Sequence, residues 1–512
     1  MTEAERVGRV PGSSRTTAGL LRRVAAEYPG HDAYVEAGRA LTYGEWDQAA
    51  DAMAQCFRQL GVGRGDVVAL TLPSCIEYPV CYQAAMRLGA LTTGINPRMG
   101  RREVDSILGR TRARIAVLDD DLPAPESDVT TLRRSDLPAM WNGERAVGLP
   151  EIDEGDPVAI VWTSGTTGGP KGAVFTHRQL EAVAASASAL SSRFDRKLSP
   201  TPFTHIGYMV HLWEEIEKVI AVVIPPTPWK AAAVLALMER KRVTVGQGMA
   251  AHWRLMFDSP AFAKVDLSAL RIAGTGGSSI PPGLVVEMRD RLGCPVVVGY
   301  ASTESAIVSE TDPGDPPGLL HSTVGRARAN VELVVTDDDG RPLPPGREGW
   351  VRCRSAGVMS GYWEDQKRTA SVLDNDGWLT VGDLGRLDAG GNLTLLGRGG
   401  EMYIRGGYNV YPAEVERTLA LHPAVAQIAI VAQPDRVLGE IGRAFVVPEP
   451  GRPALTLEDL RAWCRDDLAD YKAPDRLELV DELPLTRMAK IDKTDLAARA
   501  AAAAQAEERQ RQ

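Results

Sequence analysis

One glycine-rich loop constrains this chain more than any other stretch. Residues 161–172 read VWTSGTTGGPKG, and the apolar run VAIVW at residues 158–162 predicts a buried strand that leads into the loop. Glycines allow backbone N–H groups to turn toward a ligand, the hydroxyls add donors, and Lys171 adds a point charge suited to phosphate. The pattern therefore predicts a phosphate-binding loop rather than an ordinary solvent-exposed turn.

The loop does not match the Walker A pattern GxxxxGK[ST]. Counted from Gly165, Pro170 stands where the second glycine belongs, and Gly172 replaces the Ser or Thr that would bind Mg²⁺. The loop is therefore predicted to bind phosphate without making the chain a P-loop NTPase.

Composition argues against several classes of protein. A chain of 512 residues is long enough for more than one domain, and its net charge of −9 argues against nucleic acid as a partner. No stretch approaches the ~20 apolar residues of a membrane span, and the first residues lack the apolar core of a signal peptide. The six scattered cysteines are typical of reduced thiols in a cytoplasmic protein, and the seven histidines form no HExxH zinc pattern.

Alternating strand and helix patterns predict a layered α/β domain. Apolar residues recur at helical spacing over residues 41–60, where Thr42 and Glu45 form a capping-box pattern. A strand-like VVALTL run and a second helical pattern over residues 77–88 follow. After the loop, the Ala-rich residues 179–190 are predicted to be helical.

The chain is predicted to end in a small separate domain. Beyond Gly325 the apolar period shortens toward two, which predicts antiparallel sheet, and GRGG at residues 397–400 marks a boundary. We expect an α/β fold with a large N-terminal domain of layered α/β subdomains plus antiparallel sheet, and a small mobile α+β C-terminal domain. The predicted bounds are 1–397 for the large domain, 398–400 for the hinge, 401–495 for the small domain and 496–512 for a frayed helical tail.

An ordered set of motifs resembles the AMP-forming adenylate enzymes, which include acyl- and aryl-CoA synthetases, peptide-synthetase adenylation domains and luciferases. The resemblance is greatest to the acyl-CoA synthetases and covers about residues 41–493. Besides the loop, it rests on NPR at Asn96, YASTE at Tyr300, GYW at Gly361, GWLTVGD at Gly377, GRGGEMYIRGGYNVYPAEVE at Gly397 and LPLTRMAKIDK at Leu483.

The resemblance implies a nucleotide site. Tyr300 has a planar face that can stack on adenine, Asp383 is placed to hold the ribose hydroxyls, and Glu304 offers an oxygen ligand to Mg²⁺. The implied ATP- and AMP-binding residues are Thr163, Ser164, Gly165, Thr166, Thr167, Gly168, Lys171, Tyr300, Thr303, Asp383 and Arg398.

The resemblance also implies three catalytic residues. Lys490, carried on the small domain, would bridge the carboxylate and the phosphate while an acyl-adenylate forms, and its charge opposes the charge that develops on phosphorus. Thr303 would contact the α-phosphate, and His205 would lie at the mouth of the acyl pocket. The implied pocket residues are His205, Gly207, Tyr208, Trp213, Gly276 and Ser302.

The implied reaction has two steps and uses ATP, Mg²⁺ and CoA. A small-molecule acid, either aryl or of medium length, would attack the α-phosphate of ATP and release pyrophosphate. The small domain would then swing about Gly400, and the thiol of CoA would attack the adenylate and release AMP. A carrier protein is an alternative acceptor, and the oligomeric state is open between monomer and homodimer.

Four positions depart from the usual family pattern. Ala301 replaces the glycine that commonly follows the tyrosine, and Val381 replaces a threonine near the nucleotide. Gly400 stands at the hinge position where an Asp or Lys is usual, and Ala489 replaces the glycine before Lys490. None of these changes removes a charged catalytic group.

The segment LWEEIEK at residues 212–218 departs further, because relatives carry apolar and glycine-rich sequence there. We expect Glu214, Glu215 and Glu217 to form a solvated helix face; if one instead faces the pocket, it would attract an amine on the substrate.

Two alternatives to acid–CoA ligation follow from these departures. One is an ATP-dependent diazotase that activates nitrite for transfer to an arylamine. The other is a non-catalytic nucleotide-binding module, which the retention of the charged site residues argues against.

Overall fold

The structure, a computed structural model, describes residues 15–511 apart from 142, 144, 164–169, 187, 200, 278–279, 281, 407, 436–437, 466 and 487–489. Over these residues it contains the predicted α/β fold, in which layered α/β units and an antiparallel sheet precede a small α+β unit.

The helices follow one another along the described chain as α1 (Thr17–Glu27), α2 (Tyr43–Gln59), α3 (Glu77–Arg87), α4 (Arg101–Thr111), α5 (Leu137–Met140), α6 (His177–Ala185), α7 (Ile206–Met209), α8 (Leu212–Glu217), α9 (Ala231–Arg240), α10 (Ala250–Asp258), α11 (Pro282–Leu292), α12 (Pro317–Ser322), α13 (Gln366–Ala370), α14 (Pro412–Leu419), α15 (Leu457–Cys464) and α16 (Lys493–Arg511). None of the helices in the described part of the chain is both long enough and apolar enough to span a bilayer.

The strands are β1 (Asp32–Val35), β2 (Ala40–Thr42), β3 (Val67–Thr71), β4 (Leu91–Gly94), β5 (Ile115–Leu118), β6 (Thr130–Arg133), β7 (Pro157–Thr163), β8 (Lys171–Thr176), β9 (Arg196–Leu198), β10 (Ala221–Val223), β11 (Val245–Gly248), β12 (Ile272–Gly276), β13 (Val296–Ser302), β14 (Ala306–Glu310), β15 (Arg326–Ala327), β16 (Glu332–Thr336), β17 (Gly349–Arg354), β18 (Gly361–Tyr362), β19 (Leu379–Leu387), β20 (Leu393–Arg398), β21 (Tyr403–Arg405), β22 (Tyr408–Val410), β23 (Val425–Asp435), β24 (Gly439–Pro448) and β25 (Arg476–Leu479).

These strands form four sheets in the described part of the chain. The loop sheet has the order β18-β8-β7-β4-β3-β5-β6, and the long sheet has the order β15-β14-β13-β12-β11-β9-β10-β1-β2. The hairpin sheet, β16-β17-β19-β20, is antiparallel. The C-terminal sheet has the order β22-β21-β24-β23, and β25 pairs with β24. The largest apolar core contains side chains of α2, α3, α6 and α8 together with strands of both the loop sheet and the long sheet, so these helices lie between the two sheets.

Local sequence signals account for the first helices. Thr42 caps α2, and the Thr42 and Glu45 side chains each bond the other's backbone N–H, as the capping-box pattern predicts. The second predicted helix is α3. The predicted strand before the glycine-rich loop is β7, whose five central residues are buried.

The helix predicted over residues 179–190 is wrong in its second half, because α6 ends at Ala185. The chain leaves the helix where Ser188 Oγ and the Ala189 N–H donate to the buried carboxylate of Glu310, at 2.9 and 3.3 Å. A buried carboxylate needs donors, and a continued helix would keep that N–H for itself.

The expected solvated face of α8 is wrong for two of its three glutamates. Glu214 and Glu215 are each 3% exposed, whereas Glu217 is exposed. Glu214 pairs with Lys218 at 3.0 Å, and Glu215 Oε1 lies 3.8 Å from the Nζ of Lys197, itself buried in β9. Both carboxylates therefore lie buried beside lysines of this chain and do not form a solvated helix face.

The two buried carboxylates have opposite pKa shifts. Burial raises the pKa of Glu215 to about 7, because Lys197 only partly offsets the loss of water. Burial also opposes ionisation of Glu214, but the His211 hydrogen bond and the nearby lysines lower its pKa to about 2.

The tail is helical, as expected, but its first turns pack on the C-terminal sheet and are not frayed. Helix α16 begins at Lys493, and Leu496 and Ala500 are fully buried against Val431 and Phe445. The first turns of α16 therefore belong to the core of the small domain.

Replacing Glu215 by Gln should flatten the pH dependence of stability. The unfolded chain loses this proton near pH 4.5 and the folded chain near pH 7. Between these values the folded state binds more protons, so the free energy of unfolding falls as pH rises, by at most about 1.4 kcal/mol per pH unit. Urea denaturation at pH 5, 6 and 7 should show this fall in the parent chain and a smaller one in Glu215→Gln.

The matched control is Glu217→Gln, which changes an exposed carboxylate on the same helix and should follow the parent chain. Parallel pH profiles for the parent and Glu215→Gln would contradict the assigned pKa.

Candidate active site

The glycine-rich loop connects two antiparallel strands. Thr163 ends β7 and pairs with Lys171 at the start of β8, so both predicted phosphate ligands lie at the mouth of the loop. A Cβ on Gly172 would lie 2.6 Å from Ile160 Cγ2, which explains the glycine after the lysine. The other predicted loop ligands, Ser164, Gly165, Thr166, Thr167 and Gly168, lie outside the described residues.

Tyr362 connects the loop lysine with the predicted metal ligand. The Lys171 ammonium lies 5.5 Å from the centroid of the Tyr362 ring, and the Tyr362 hydroxyl donates to Glu304 Oε1 at 2.8 Å. Strand β18 places the ring there by pairing with β8, with Tyr362 opposite Ala173. The GYW motif marks the position of Tyr362 in the sequence, but its contact with Glu304 depends on the tertiary structure.

A tight turn between β13 and β14 presents Thr303 and Glu304. The Ser302 and Ser305 side chains bond each other at 2.8 Å and also accept from each other's backbone N–H, which locks the turn. The Met359 N–H donates to the Glu304 carbonyl at 2.8 Å. Glu304 is therefore held in place by one hydrogen bond to its backbone carbonyl and one to its carboxylate.

The predicted nucleotide residues Tyr300, Asp383 and Arg398 meet at one buried carboxylate. The Tyr300 hydroxyl donates to Asp383 Oδ2, and Arg398 Nε lies 3.2 Å from Asp383 Oδ1. Asp383 and Arg398 are cross-strand partners in the hairpin sheet. Burial raises the pKa of Asp383 above its ordinary value, and Arg398 and the Tyr300 hydrogen bond oppose this rise.

Lys490 and His205 belong to the same electrostatic environment. Burial lowers the pKa of Lys490, Arg398 lowers it further, and Asp383 raises it. Burial, together with the charge of Lys490, lowers the pKa of His205 to about 4. Lys490 of the small domain therefore interacts electrostatically with His205 and Asp383 of the large domain.

His205 is neutral at physiological pH and its tautomer follows from its contacts. It caps α7, and its Nδ1 accepts from the Gly207 N–H at 3.2 Å. The ring proton is therefore on Nε2, which leaves a donor available. In the small domain, the Thr486 N–H donates to the Lys490 carbonyl at 2.7 Å, and this hydrogen bond restrains the backbone at Lys490.

The predicted pocket residues separate into two groups. Gly207 is exposed, Gly276 is partly exposed, and the Ser302 side chain is used within the turn. Tyr208 is fully buried, stacks on Phe203 at 3.8 Å and bonds the Tyr34 hydroxyl, and Trp213 is only 3% exposed. Tyr208 and Trp213 are therefore packed among core side chains, and their place in the pocket wall stays a prediction.

The predicted hinge lies directly after β20. Nothing lies within 4 Å of a Cβ built on Gly400, so neighbouring atoms do not restrain this position. Beyond Gly400, Lys493 at the start of α16 forms ion pairs with Glu401 at 3.0 Å and with Glu416 of α14 at 2.9 Å. These ion pairs link three segments of the small domain.

Comparison with known proteins assigns the family. Residues 21–363 match the model of the AMP-binding enzymes, and residues 414–490 match the C-terminal domain of the same enzymes. A methyl-dioxo-octahydroindenyl-propanoyl:CoA ligase of Mycobacterium tuberculosis is 34% identical over 94% of this chain and 98% of its own length. The long-chain-fatty-acid–CoA ligase FadD13 of the same species is 31% identical over 93% and 97%.

A solved structure has the same fold. The anthranilate CoA ligase AuaEII, in complex with anthranoyl-AMP, superposes with a TM-score of 0.87 at 24% identity over 96% of this chain and 98% of its own. Because one family model spans residues 21–363 and a second matches most of the small domain, the chain belongs to the AMP-binding enzyme family.

Proposed function

We propose that this protein is an AMP-forming acid–CoA ligase that activates a small carboxylic acid. One observation carries the proposal: Lys490 of the small domain interacts electrostatically with His205 and Asp383 of the large domain and with Arg398 at the predicted hinge. A cation that acts on the nucleotide residues from the other domain supports the proposal, because formation of an acyl-adenylate requires charge to be neutralised there.

In the first step the acid's carboxylate oxygen attacks the α-phosphorus of ATP, and the bond between the α-phosphorus and the bridging oxygen of pyrophosphate breaks. Lys490 opposes the negative charge that gathers on the reacting oxygens, and Thr303 donates to the α-phosphate. Lys171 and the loop oppose the charge of the departing pyrophosphate. Asp383 and Arg398 orient the ribose, so that attack occurs in line.

The residues present fit a Mg²⁺ ion that arrives with ATP. Among the described residues no cluster of three or more His, Cys, Asp or Glu side chains is arranged to hold a metal. Mg²⁺ commonly uses one or two carboxylates together with substrate phosphates and water. Glu304 would supply one carboxylate, and the bound ion would neutralise phosphate charge.

Neutral His205 suits the mouth of the acid pocket. A second full positive charge beside Lys490 would disfavour the ionised lysine, whereas the His205 imidazole keeps an Nε2–H donor for a carboxylate oxygen without adding charge.

In the second step the thiol of CoA attacks the acyl carbon, a C–S bond forms, the C–O bond between the acyl carbon and the phosphate breaks, and AMP leaves while the thiol proton passes to solvent. The relatives that bear CoA-ligase names support CoA rather than a carrier protein as the acceptor. Rotation about Gly400 would withdraw Lys490 and open a path for the thiol. Glu214 and Glu215 lie beside lysines of this chain, so the acidic segment does not favour the diazotase alternative.

An acceptor experiment tests the function. Purified protein is incubated with Mg·ATP and a panel of carboxylic acids, with and without CoA, and in parallel with nitrite plus arylamines. We expect AMP release that needs both an acid and CoA. Release that needs nitrite and an arylamine, or no release with any acid, would contradict the proposal.

Replacing Lys490 by Ala should abolish adenylate formation, by at least about a hundredfold, while ATP binding is retained, because the lysine acts on charge that appears only in the transition state. Acid-dependent pyrophosphate exchange measures the first, and calorimetric titration with Mg·ATP measures the second. Lys367→Ala, which changes an exposed lysine on α13, is the matched control. Unchanged exchange in Lys490→Ala would exclude this mechanism.

Replacing Tyr362 by Phe should raise the Mg²⁺ concentration needed for half-maximal adenylate formation by about tenfold, because Glu304 loses the hydroxyl that orients it. The control is Tyr28→Phe, which removes a surface hydroxyl bonded to Glu27. An Mg²⁺ requirement equal to that of the parent chain would show that Tyr362 does not position Glu304.

A further inference from the structure

One face of the long sheet lacks side chains beside the proposed acid site. Gly274 and Gly276 are two residues apart on β12, so they lie on the same face, and Gly299 of β13 is the cross-strand partner of Gly276. A Cβ on Gly276 would lie 2.6 Å from the Gly299 carbonyl oxygen, so alanine does not fit there without moving backbone. We call Gly274, Gly276 and Gly299 the glycine groove.

The upper end of the glycine groove is open. Gly276 and Gly299 are partly exposed, although both strands lie inside the long sheet. Beside Gly299, the Ile307 side chain comes within 3.7 Å of a Cβ built on that glycine. Ile307 and Ser186 also line a cavity of about 200 Å³ between β14 and α6. The partial exposure of Gly276 and Gly299 therefore makes this end of the groove accessible, and the cavity lies on the other side of Ile307.

The lower end of the glycine groove is closed by Leu190. Its two methyl carbons lie 2.7 and 2.8 Å from the position of a Cβ on Gly274, so Leu190 occupies the space that a side chain at Gly274 would take. Below this point Leu190 packs on Val245, Ile272 and Val297, all fully or nearly fully buried. The groove therefore ends at Leu190.

The segment that carries Leu190 is held in place by a buried carboxylate. Glu310, the cross-strand partner of Gly299, accepts from Ser188 Oγ at 2.9 Å and from the Ala189 N–H at 3.3 Å. Arg328 Nη1 lies 2.9 Å from the same carboxylate, which neutralises it. The hydrogen bonds of Ser188 and Ala189 to Glu310 therefore restrain the backbone next to Leu190, and this keeps the Leu190 side chain over the sheet.

The geometry points to Leu190 as the residue that limits the length of the acid. This inference rests on the proposed ligase function. Gly276 and Gly274 are separated by about 7 Å along the strand, which is enough for a single ring or a short branched chain. The preferred substrate is therefore a compact acid, with an aromatic ring or short aliphatic group, and a long straight-chain acid is excluded by the Leu190 side chain.

The test compares acids of graded length. Acid-dependent pyrophosphate exchange is measured with benzoate, phenylacetate and straight-chain acids from hexanoate to hexadecanoate, for the parent chain and for Leu190→Ala. We expect the parent to prefer the ring acids. Leu190→Ala should raise kcat/KM for the long acids by about tenfold or more and leave that for benzoate within a few-fold.

Two further variants keep the test decisive. Leu190→Val shortens the side chain with less disturbance and should shift the length limit by a smaller step, which covers the case in which Leu190→Ala does not fold. Leu235→Ala removes an equally buried leucine from α9, in a core cluster that does not include Leu190, and should leave the order of preference unchanged. Thermal unfolding of each variant is measured beside the kinetics.

The outcomes separate the length limit from the ligase function. If the parent uses hexadecanoate as well as benzoate, or if folded Leu190 variants keep the parent's length profile, the inference is overturned while the ligase function stands. If no acid supports exchange, the proposed function falls, and the length limit falls with it.

Discussion

The buried carboxylate of Asp383 is the interaction on which the proposed site depends. It joins Tyr300 of the long sheet to Arg398 at the end of the hairpin sheet, immediately before the segment that leads to the small domain. A buried charge that loses one partner is strongly destabilised, so these three residues constrain one another's positions. The charges of Asp383 and Arg398 also shift the pKa of Lys490, in opposite directions. The cluster therefore interacts electrostatically with the small domain.

Buried charge also shapes the core beneath the site. Glu310 ends α6 early by taking donors from Ser188 and Ala189, and this turn places Leu190 over the long sheet. Glu215 and Lys197 pair deeper between α8 and the same sheet. These polar groups determine where helices stop and where side chains fill the sheet face, so they influence the shape of the acid site without touching a substrate.

Much of the fold and the reaction class could be predicted from the sequence. The comparisons confirm the family and the AMP-forming chemistry that the ordered motifs implied, and the structure confirms β7, the α2 capping box and α3. The errors concern residues whose partners are distant in the sequence. Glu215 looked solvated because Lys197 lies on another element, and residues 186–190 looked helical because Glu310, which accepts from Ser188 and Ala189, is more than a hundred residues away.

The sequence by itself determined the residue types of the site and their order, because phosphate, ribose and metal chemistry each require particular side chains and glycines at short spacing. Only the tertiary structure decided which of these residues meet. Tyr362 lies between Lys171 and Glu304 because β18 pairs with β8, and Leu190 closes the glycine groove because Glu310 holds the preceding residues. Such contacts depend on strand pairing and on partners for buried charges, neither of which local sequence patterns encode.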